Sequence, residues 1–210
     1  MTTKTMNLAN KLTMARIIMV PFFILFMELS GFWFAILALL FFAAASITDF
    51  FDGKIARKYN TITSLGIFLD PLADKLLISA AFICFVNIPY LHVPAWMVIA
   101  IISREFLITG LRSIAASKNV IIPADKSGKF KTTSQMVVII LLLLIIILNE
   151  TLLKFHGVSI ESLKYTARYH SVGAALYVLP FWSVFAAAIL TVYSGARYMV
   201  KHKGLLKENE

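Results

Sequence analysis

The sequence predicts an all-α integral membrane protein with six transmembrane helices in a single membrane-embedded domain, residues 1–210. Hydrophobic residues make up 60% of the chain and charged residues only 15%, and the mean hydropathy is +0.83. A soluble domain would carry about 25% charged residues. The apolar segments lie at roughly 14–29, 32–50, 66–88, 94–114, 132–150 and 171–199. Because the hydrocarbon core offers a backbone no hydrogen-bond partners, we expect each segment to be helical.

The first apolar segment follows a polar, basic start and in this respect resembles a signal peptide. No small-x-small cleavage site follows it, and five further apolar segments do, which favours a first spanning helix. Just ahead of this segment, Leu8, Leu12 and Ala15 would lie opposite Lys4 and Lys11 on a helix. That pattern predicts a short amphipathic surface helix before the first span.

Lysine and arginine are concentrated at both ends of the chain and in the second-to-third and fourth-to-fifth linkers. The basic residues of these two linkers are Lys54, Arg57, Lys58, Lys118, Lys126, Lys129 and Lys131. On the opposite side, the fifth-to-sixth linker carries Lys154, Lys164 and Arg168, and the other two linkers carry none. The positive-inside rule therefore places both termini, and residues 49–75, on the cytoplasmic side. The membrane is expected to be a bacterial inner or plasma membrane. The net charge of +9 indicates contact with anionic lipid head groups and not with a nucleic acid.

Three local features add expectations about the connections between helices. Pro89 and Pro94 predict a tight outer turn between the third and fourth spans. The triplet Asn149-Glu150-Thr151 matches a glycosylation acceptor on the outer side, although such triplets are common by chance. Pro71 predicts that the third helix either begins near residue 70 or kinks there.

Residues 49–75 contain four of the five aspartates in the sequence, between two long apolar segments. Asp49 and Asp52 are three positions apart, and Asp70 and Asp74 are four apart, so each pair shares one face of a helix. Two such helices side by side would direct four carboxylates into one space. Hard divalent cations with oxygen ligands are the usual way to neutralise such a cluster. The stretch therefore predicts a site for one or two Mg²⁺ or Mn²⁺ ions.

The same residues fill a longer pattern, D-x-x-D-G-x-x-A-R-x8-G-x3-D-x3-D. Its small residues, Gly53, Ala56 and Gly66, leave room beside a helix backbone for a planar group. The pattern resembles the signature of the CDP-alcohol phosphotransferases, a family of helical membrane bundles. The alternative is that the aspartates are helix-end charges solvated at the membrane surface. That alternative does not explain why aspartate is concentrated here while glutamate is scattered.

The resemblance implies a role for each residue of this motif core. It implies that two divalent ions are held by Asp49, Asp52, Asp70 and Asp74, and that Asp74 is also the general base towards the acceptor hydroxyl. It further implies that CDP-diacylglycerol binds against the small residues. The start of the chain, N-L-A-N-K-L-T-M-A-R, resembles the family as well. The residues implied in binding the CDP-lipid are Asn10, Thr13, Arg16, Asp52, Gly53, Ala56, Arg57 and Gly66.

Two further stretches, SREFLITGLR and GKFKTTSQ, place charges beside apolar segments between residues 103 and 135. Forked guanidinium donors suit phosphate, but simple alternatives exist: Arg104 pairing with Glu105 at a helix end, and an ordinary basic flank. Together the two stretches resemble the branch of the family whose acceptor is glycerol 3-phosphate. The resemblance implies that Arg104, Arg112, Lys129 and Lys131 bind the acceptor phosphate.

The expected function is therefore phosphatidyl transfer from CDP-diacylglycerol to glycerol 3-phosphate, with release of CMP, in a homodimer that the resemblance implies. The alternatives are the same chemistry with another acceptor, giving cardiolipin or a phosphatidylinositol phosphate, or a divalent-cation transporter. The transporter is disfavoured because the acids cluster at one membrane face instead of lining a path through the middle.

Overall fold

A computed structural model describes most of the chain. It gives the backbone of residues 8–59, 64–117, 126–166 and 170–201, and within these ranges the side chains of 11–48, 72–73, 75–115, 131–166 and 170–201. The described ranges contain helices and connecting turns but no β-strand. The all-α prediction is therefore confirmed.

Each of the six apolar segments coincides with part of one long helix and extends at most two residues beyond it. The elements are α1 (Leu8–Glu28), α2 (Phe32–Tyr59), α3 (Ser64–Val86), a 3₁₀ turn (Pro89–Leu91), α4 (Ala95–Ser117), α5 (Lys126–His156), the short α6 (Ile160–Leu163) and α7 (His170–Lys201). Among the described residues, two stretches are long and apolar enough to cross a membrane, Lys131–His156 and His170–Lys201. Shorter apolar stretches run from Phe32 to Thr48 and from Lys75 to Val86. Crossing by all six helices stays a prediction.

Two helix starts differ from the expectations. Leu8 to Glu28 is one continuous helix, so residues 8–15 belong to the first apolar helix and do not form a separate surface helix. Residues 8–20 contain neither proline nor glycine, so nothing in the sequence interrupts the helix there. The third helix begins at Ser64, and the alternative of a start near residue 70 is wrong. Pro71 therefore lies in the interior of α3.

The chain divides into two compact units. The first contains the residues up to Cys84 together with Leu143–Ser162, and the second contains Phe85–Leu142 and the residues from Leu163 onward. Helices α3 and α5 each contribute to both units.

Aromatic side chains fill the contact between α1 and α2 in the first unit. Phe23 and Phe42 are fully buried, with ring centroids 5.9 Å apart, and the rings of Phe26 and Phe41 meet edge to face at 5.1 Å. Edge-to-face pairs add about 0.5–1.5 kcal/mol beyond the area that the rings bury. Between the two helices, Gly31 has a φ of 131°, a conformation that side-chain-bearing residues rarely adopt. The tight turn therefore depends on glycine.

Asn149 has a structural role in the first unit. Its side chain is only 2% exposed, and its Oδ1 accepts a hydrogen bond of 3.1 Å from the backbone N–H of Ile160, the first residue of α6. A glycan would be attached to the side-chain nitrogen of Asn149, which its burial makes inaccessible. The glycosylation interpretation of this triplet is therefore wrong, because Asn149 ties α6 to the end of α5.

In the second unit, α4 packs against α7, with Ile108, Leu111 and Tyr198 forming a buried cluster. Small residues on α7 allow close approach, as is typical of membrane helices. Gly173 makes such an approach to the end of α6, where a Cβ would lie 2.6 Å from the backbone nitrogen of Lys164. The outer connection contains the 3₁₀ turn, which ends at His92 with a φ of 50°.

Candidate functional site

The motif aspartates lie on two helices of the first unit. Asp49 and Asp52 are in the last part of α2, and Asp70 and Asp74 are in the first part of α3. Because the backbone is helical at both places, the two aspartates of each pair, three or four positions apart, lie on one face of their helix, as expected. The four side chains lie outside the described side chains, so their convergence on a common cation stays a prediction.

The remaining motif residues follow the same two helices. Gly53, Ala56 and Arg57 are in α2, and Gly66 is in α3, one turn before the first aspartate of that helix. Their side-chain surroundings also lie outside what the structure describes. Around the described side chains alone, no group of three or more histidine, cysteine, aspartate or glutamate residues is close enough to hold a metal ion.

Three residues near the start of the chain are expected to bind the CDP-lipid, and the structure describes the side chains of two of them, Thr13 and Arg16. Both are buried on one face of α1, with 0% and 1% exposure. The Nε of Arg16 donates to the carbonyl oxygen of Ala45 on α2 at 3.3 Å. The same carbonyl accepts the hydroxyl of Thr48 at 2.7 Å. Ala45 lies one turn before Asp49, so Arg16 brings a buried positive charge to the level of α2 where the aspartate motif begins. The third candidate, Asn10, is in α1, with its side chain outside the described set.

A second polar cluster, in the second unit, is centred on Glu105 of α4. One oxygen of its carboxylate, Oε1, pairs with the Nζ of Lys131, lies 3.6 Å from Nη1 of Arg104 and accepts from Nε2 of Gln135 at 3.4 Å. The side chains of Arg104, Glu105 and Lys131 are 11%, 13% and 6% exposed. Nearly buried charges interact strongly because little water screens them. We call Arg104, Glu105, Lys131 and Gln135 the cationic cluster, since its described part holds two cations and one carboxylate.

Helix α7 completes the surroundings of Arg104. Its Nη2 donates to the hydroxyl of Ser194 at 3.1 Å, while its buried Nε has no hydrogen-bond partner among the described residues. Gln135 donates to the hydroxyl of Thr191 at 3.1 Å. A buried guanidinium with an unused donor is a group that an anion can satisfy.

Arg112 lies two turns along α4 from Arg104, in a different environment. It is exposed, its Nε donates to the phenol oxygen of Tyr198 at 3.2 Å, and its guanidinium carbon is 5.4 Å from the centre of that ring. This contact holds the side chain against α7 while leaving it accessible. Lys129, the fourth predicted acceptor residue, is in α5 with its side chain outside the described set.

These contacts bear on the alternatives left open by the sequence. Arg104 does approach Glu105, as the structural alternative required, but the same carboxylate oxygen also receives Lys131. Lys131 is in α5 and buried, so it is not a solvated basic flank. The two stretches therefore contribute to one cluster.

The last helix supplies residues that the sequence analysis missed. Thr191, Ser194, Gly195 and Tyr198 all lie on the face of α7 that meets α4 or α5. Their spacing of three, four and seven positions is typical of one helix face. A row of polar and small residues in a span of mostly large apolar residues is the sequence pattern that could have predicted this face.

Long apolar helices, aspartates paired along two of them and a largely buried cationic cluster define a helical protein of the membrane type. Comparison with known families agrees. The model of the CDP-alcohol phosphatidyltransferase family matches residues 6–192. The chain belongs to this family, and the resemblance inferred from the aspartate pattern is confirmed.

Curated relatives carry a more specific name. The chain is 46% identical over 142 residues to a CDP-diacylglycerol–glycerol-3-phosphate 3-phosphatidyltransferase of Bacillus subtilis. The aligned region covers 62% of this chain and 72% of the relative. Proteins of the same name from Rickettsia typhi and Escherichia coli K12 are 44% identical over 131 residues and 38% identical over 136 residues. Each of these also covers 62% of this chain and 72% of the relative.

Proposed function

We propose that the protein transfers the phosphatidyl group of CDP-diacylglycerol to glycerol 3-phosphate, forming phosphatidylglycerol phosphate and CMP. Membership of the CDP-alcohol phosphatidyltransferase family supports the reaction type, and the names of the relatives support this acceptor. In the molecule itself, the observation that carries the acceptor assignment is the cationic cluster. An alcohol that already bears a phosphate needs such a cluster, whereas an uncharged or cationic alcohol does not.

The acceptor phosphate binds, in this proposal, at the cationic cluster. Arg104 and Lys131 supply a guanidinium and an ammonium that are largely shielded from water, where attraction to a phosphate is strong. Glu105 balances part of their charge when no acceptor is bound, because two buried cations side by side would otherwise repel each other. Arg112 and Lys129 extend the positive charge to the approach from solvent.

The chemistry takes place at the motif aspartates. Asp74 accepts the proton of the 1-hydroxyl of glycerol 3-phosphate, the hydroxyl oxygen forms a bond to the phosphatidyl phosphorus, and the bond from that phosphorus to the CMP oxygen breaks. CMP leaves with the electron pair of that bond. A single displacement of this kind needs no covalent intermediate on the protein.

The aspartate set fits a hard divalent cation, since it offers carboxylate oxygens in helical pairs on α2 and α3. In this proposal Asp49, Asp52, Asp70 and Asp74 hold Mg²⁺ or Mn²⁺, most simply as two ions. Bound there, the metal supplies stabilisation of negative charge on the phosphoryl oxygens.

The CDP-lipid lies, in this proposal, along the small residues of the motif. Gly53, Ala56 and Gly66 leave space for the cytidine, with Asp52 and Arg57 beside it. Thr13 and Arg16, both buried on α1, face the nucleotide phosphates from the other side, together with Asn10. The burial of Arg16 beside α2 supports this role, because a cation at that depth stabilises an anion more than an exposed one does.

We further propose a multi-pass topology with both termini and the aspartates at the cytoplasmic face, in a single catalytic domain that forms a homodimer. The end of the first unit opposite the aspartates supports a membrane-spanning arrangement. There the Nζ of Lys154 lies 4.8 Å and 4.9 Å from the ring centres of Phe32 and Trp33, and Trp33 is 65% exposed. A lysine among exposed aromatic rings is typical of a membrane–water interface.

The acceptor assignment is tested with the purified protein in lipid nanodiscs, labelled CDP-diacylglycerol and a series of acceptors. We expect CMP release and labelled phosphatidylglycerol phosphate with glycerol 3-phosphate, but not with glycerol. Product with phosphatidylglycerol or inositol phosphate, and none with glycerol 3-phosphate, would reassign the acceptor. Metal flux into proteoliposomes without CMP release would favour a transporter.

The metal assignment is tested by chelation in the same assay. We expect EDTA to abolish CMP release and an excess of Mg²⁺ or Mn²⁺ to restore it, because the carboxylates cannot stabilise phosphoryl charge without a cation. Full CMP release after complete chelation would contradict a metal site.

A further inference from the structure

Two neighbouring residues of α7 determine where the side chain of Arg104 lies. Ser194 accepts a hydrogen bond of 3.1 Å from Nη2 of Arg104 and is 4% exposed. Its neighbour Gly195 provides the surface on which the arginine side chain lies. A Cβ at position 195 would be 2.6 Å from Cγ, 3.0 Å from Nε and 3.4 Å from Cδ of Arg104. The part of the side chain from Cγ to Nε therefore lies across the glycine.

The surroundings of Gly195 differ from those of the other helical glycines that the structure describes. At Gly173, on the same helix, the nearest atoms to an added Cβ belong to the backbone of Leu163 and Lys164, which is the arrangement of a chain-packing glycine. At Gly110 of α4 no atom lies within 4 Å of an added Cβ. At Gly195 all three nearest atoms belong to the side chain of Arg104. The missing side chain at 195 thus makes room for a functional side chain.

We infer that Ser194 and Gly195 are positioning residues that hold the guanidinium of Arg104 in place for the acceptor phosphate. This inference rests on the proposed function, since it takes Arg104 as a phosphate ligand. Arginine has a long, flexible side chain, and fixing it in advance removes the entropy cost of ordering it on binding. Glu105 at Nη1 and Ser194 at Nη2 restrain two of its three nitrogens, while Gly195 fixes its stem. Both α7 residues lie just beyond the stretch that matches the family.

The test is Gly195→Ala in the nanodisc assay, with Gly110→Ala as the matched control. The added methyl group displaces Arg104 and leaves every proposed catalytic group in place. We expect the KM for glycerol 3-phosphate to rise about tenfold to a hundredfold, which is typical of a misplaced binding group. We expect kcat and the KM for CDP-diacylglycerol to change less than about twofold. Gly110→Ala should change none of these, because its methyl group meets no other atom.

A second comparison separates positioning from helix contact. In an Arg104→Ala background the stem that the new methyl group would meet is gone, so Gly195→Ala should raise the KM for glycerol 3-phosphate no further. An undiminished effect in that background would show that the substitution acts through α4–α7 contact, and would overturn the inference. An unchanged KM for Gly195→Ala in the native background would overturn it directly.

If Gly195→Ala fails to fold, Ser194→Ala still tests the inference. It removes only the hydroxyl, and we expect a rise of about fivefold in the KM for glycerol 3-phosphate, the effect of losing one hydrogen bond. An unchanged KM for glycerol 3-phosphate would overturn the role of Ser194 and, with it, the inference that α7 positions Arg104. The wild-type control distinguishes the two levels of failure. Absence of CMP release with glycerol 3-phosphate refutes the proposed function, whereas normal wild-type release with unaffected α7 variants refutes only this inference.

Discussion

The α1–α2 pair of the first unit and the α4–α7 pair of the second unit each hold an arginine largely out of contact with solvent, and its hydrogen-bond partners differ between the two pairs. Arg16 donates to a backbone carbonyl, that of Ala45, in a contact otherwise filled by aromatic rings. Arg104 is held by a carboxylate, a serine hydroxyl and a glycine surface, with Lys131 on the same carboxylate. Among the described side chains, the second arrangement brings two cations and a carboxylate together, which suits the binding of the proposed anionic acceptor.

The comparison extends to the proposed chemistry. In the proposed mechanism, the aspartates on α2 and α3 accept the proton and hold the metal, whereas the cationic cluster binds the acceptor. If this division is correct, substitutions at the aspartates act on kcat, and substitutions in the cationic cluster act on the KM for glycerol 3-phosphate. Each of the following substitutions tests that division.

Asp74→Asn should have the largest effect. The amide cannot accept the hydroxyl proton, so we expect kcat to fall by about a thousandfold, within the range typical of general-base removal. Steady-state CMP release in nanodiscs measures it, and thermal unfolding should be close to that of the wild type. The matched control is Asp125→Asn, at the one aspartate outside the motif, which should leave kcat unchanged. A kcat near the wild-type value for Asp74→Asn would remove the proposed base.

Lys131→Met should come next. It keeps the length of the side chain and removes the ammonium that pairs with Glu105, so Glu105 then competes with the acceptor phosphate for Arg104. We expect the KM for glycerol 3-phosphate to rise about tenfold to a hundredfold, as for the loss of a hydrogen bond to a charged group. Lys154→Met, at an exposed lysine of the same helix, is the control. A fall in kcat with an unchanged KM would break the division between the two regions.

Arg112→Ala should have a smaller effect in the same direction. Its guanidinium is exposed, so solvent screens its attraction to a phosphate. We expect the KM for glycerol 3-phosphate to rise about fivefold, measured against Arg197→Ala, an exposed arginine on α7. Kinetics identical to those of the wild type would reject a role for Arg112 in acceptor binding.

Asn149→Ala should leave activity unaltered and reduce stability only. It removes the acceptor for the backbone N–H of Ile160, and we expect the free energy of unfolding to fall by about 1–2 kcal/mol. Unfolding in detergent micelles measures the change, with Asn87→Ala, at an exposed asparagine, as the control. A change in either KM would show that this end of the first unit is coupled to substrate binding.

Much of the fold could be predicted because hydrocarbon imposes simple constraints. Apolar segments near twenty residues long must be helical, and each one does lie in a long helix. The residues at which the helices begin and end were harder to predict. Helices α2 and α5 continue well past their apolar parts, to Tyr59 and back to Lys126, because a helix ends where its capping and chain geometry allow and not where hydrophobicity stops.

The sequence by itself determined the family and the residues of its motif. Aspartate is costly beside hydrocarbon, so four aspartates at helical spacing already indicated a site. Only the tertiary structure decided that Lys131 and Arg104 meet on one oxygen of Glu105, and that Ser194 and Gly195 hold Arg104. Apart from the contact between the adjacent residues Arg104 and Glu105, these contacts join residues 26 to 91 positions apart in the sequence, on three different helices. No local spacing rule reports which helix faces meet, because that depends on how whole side chains fit together.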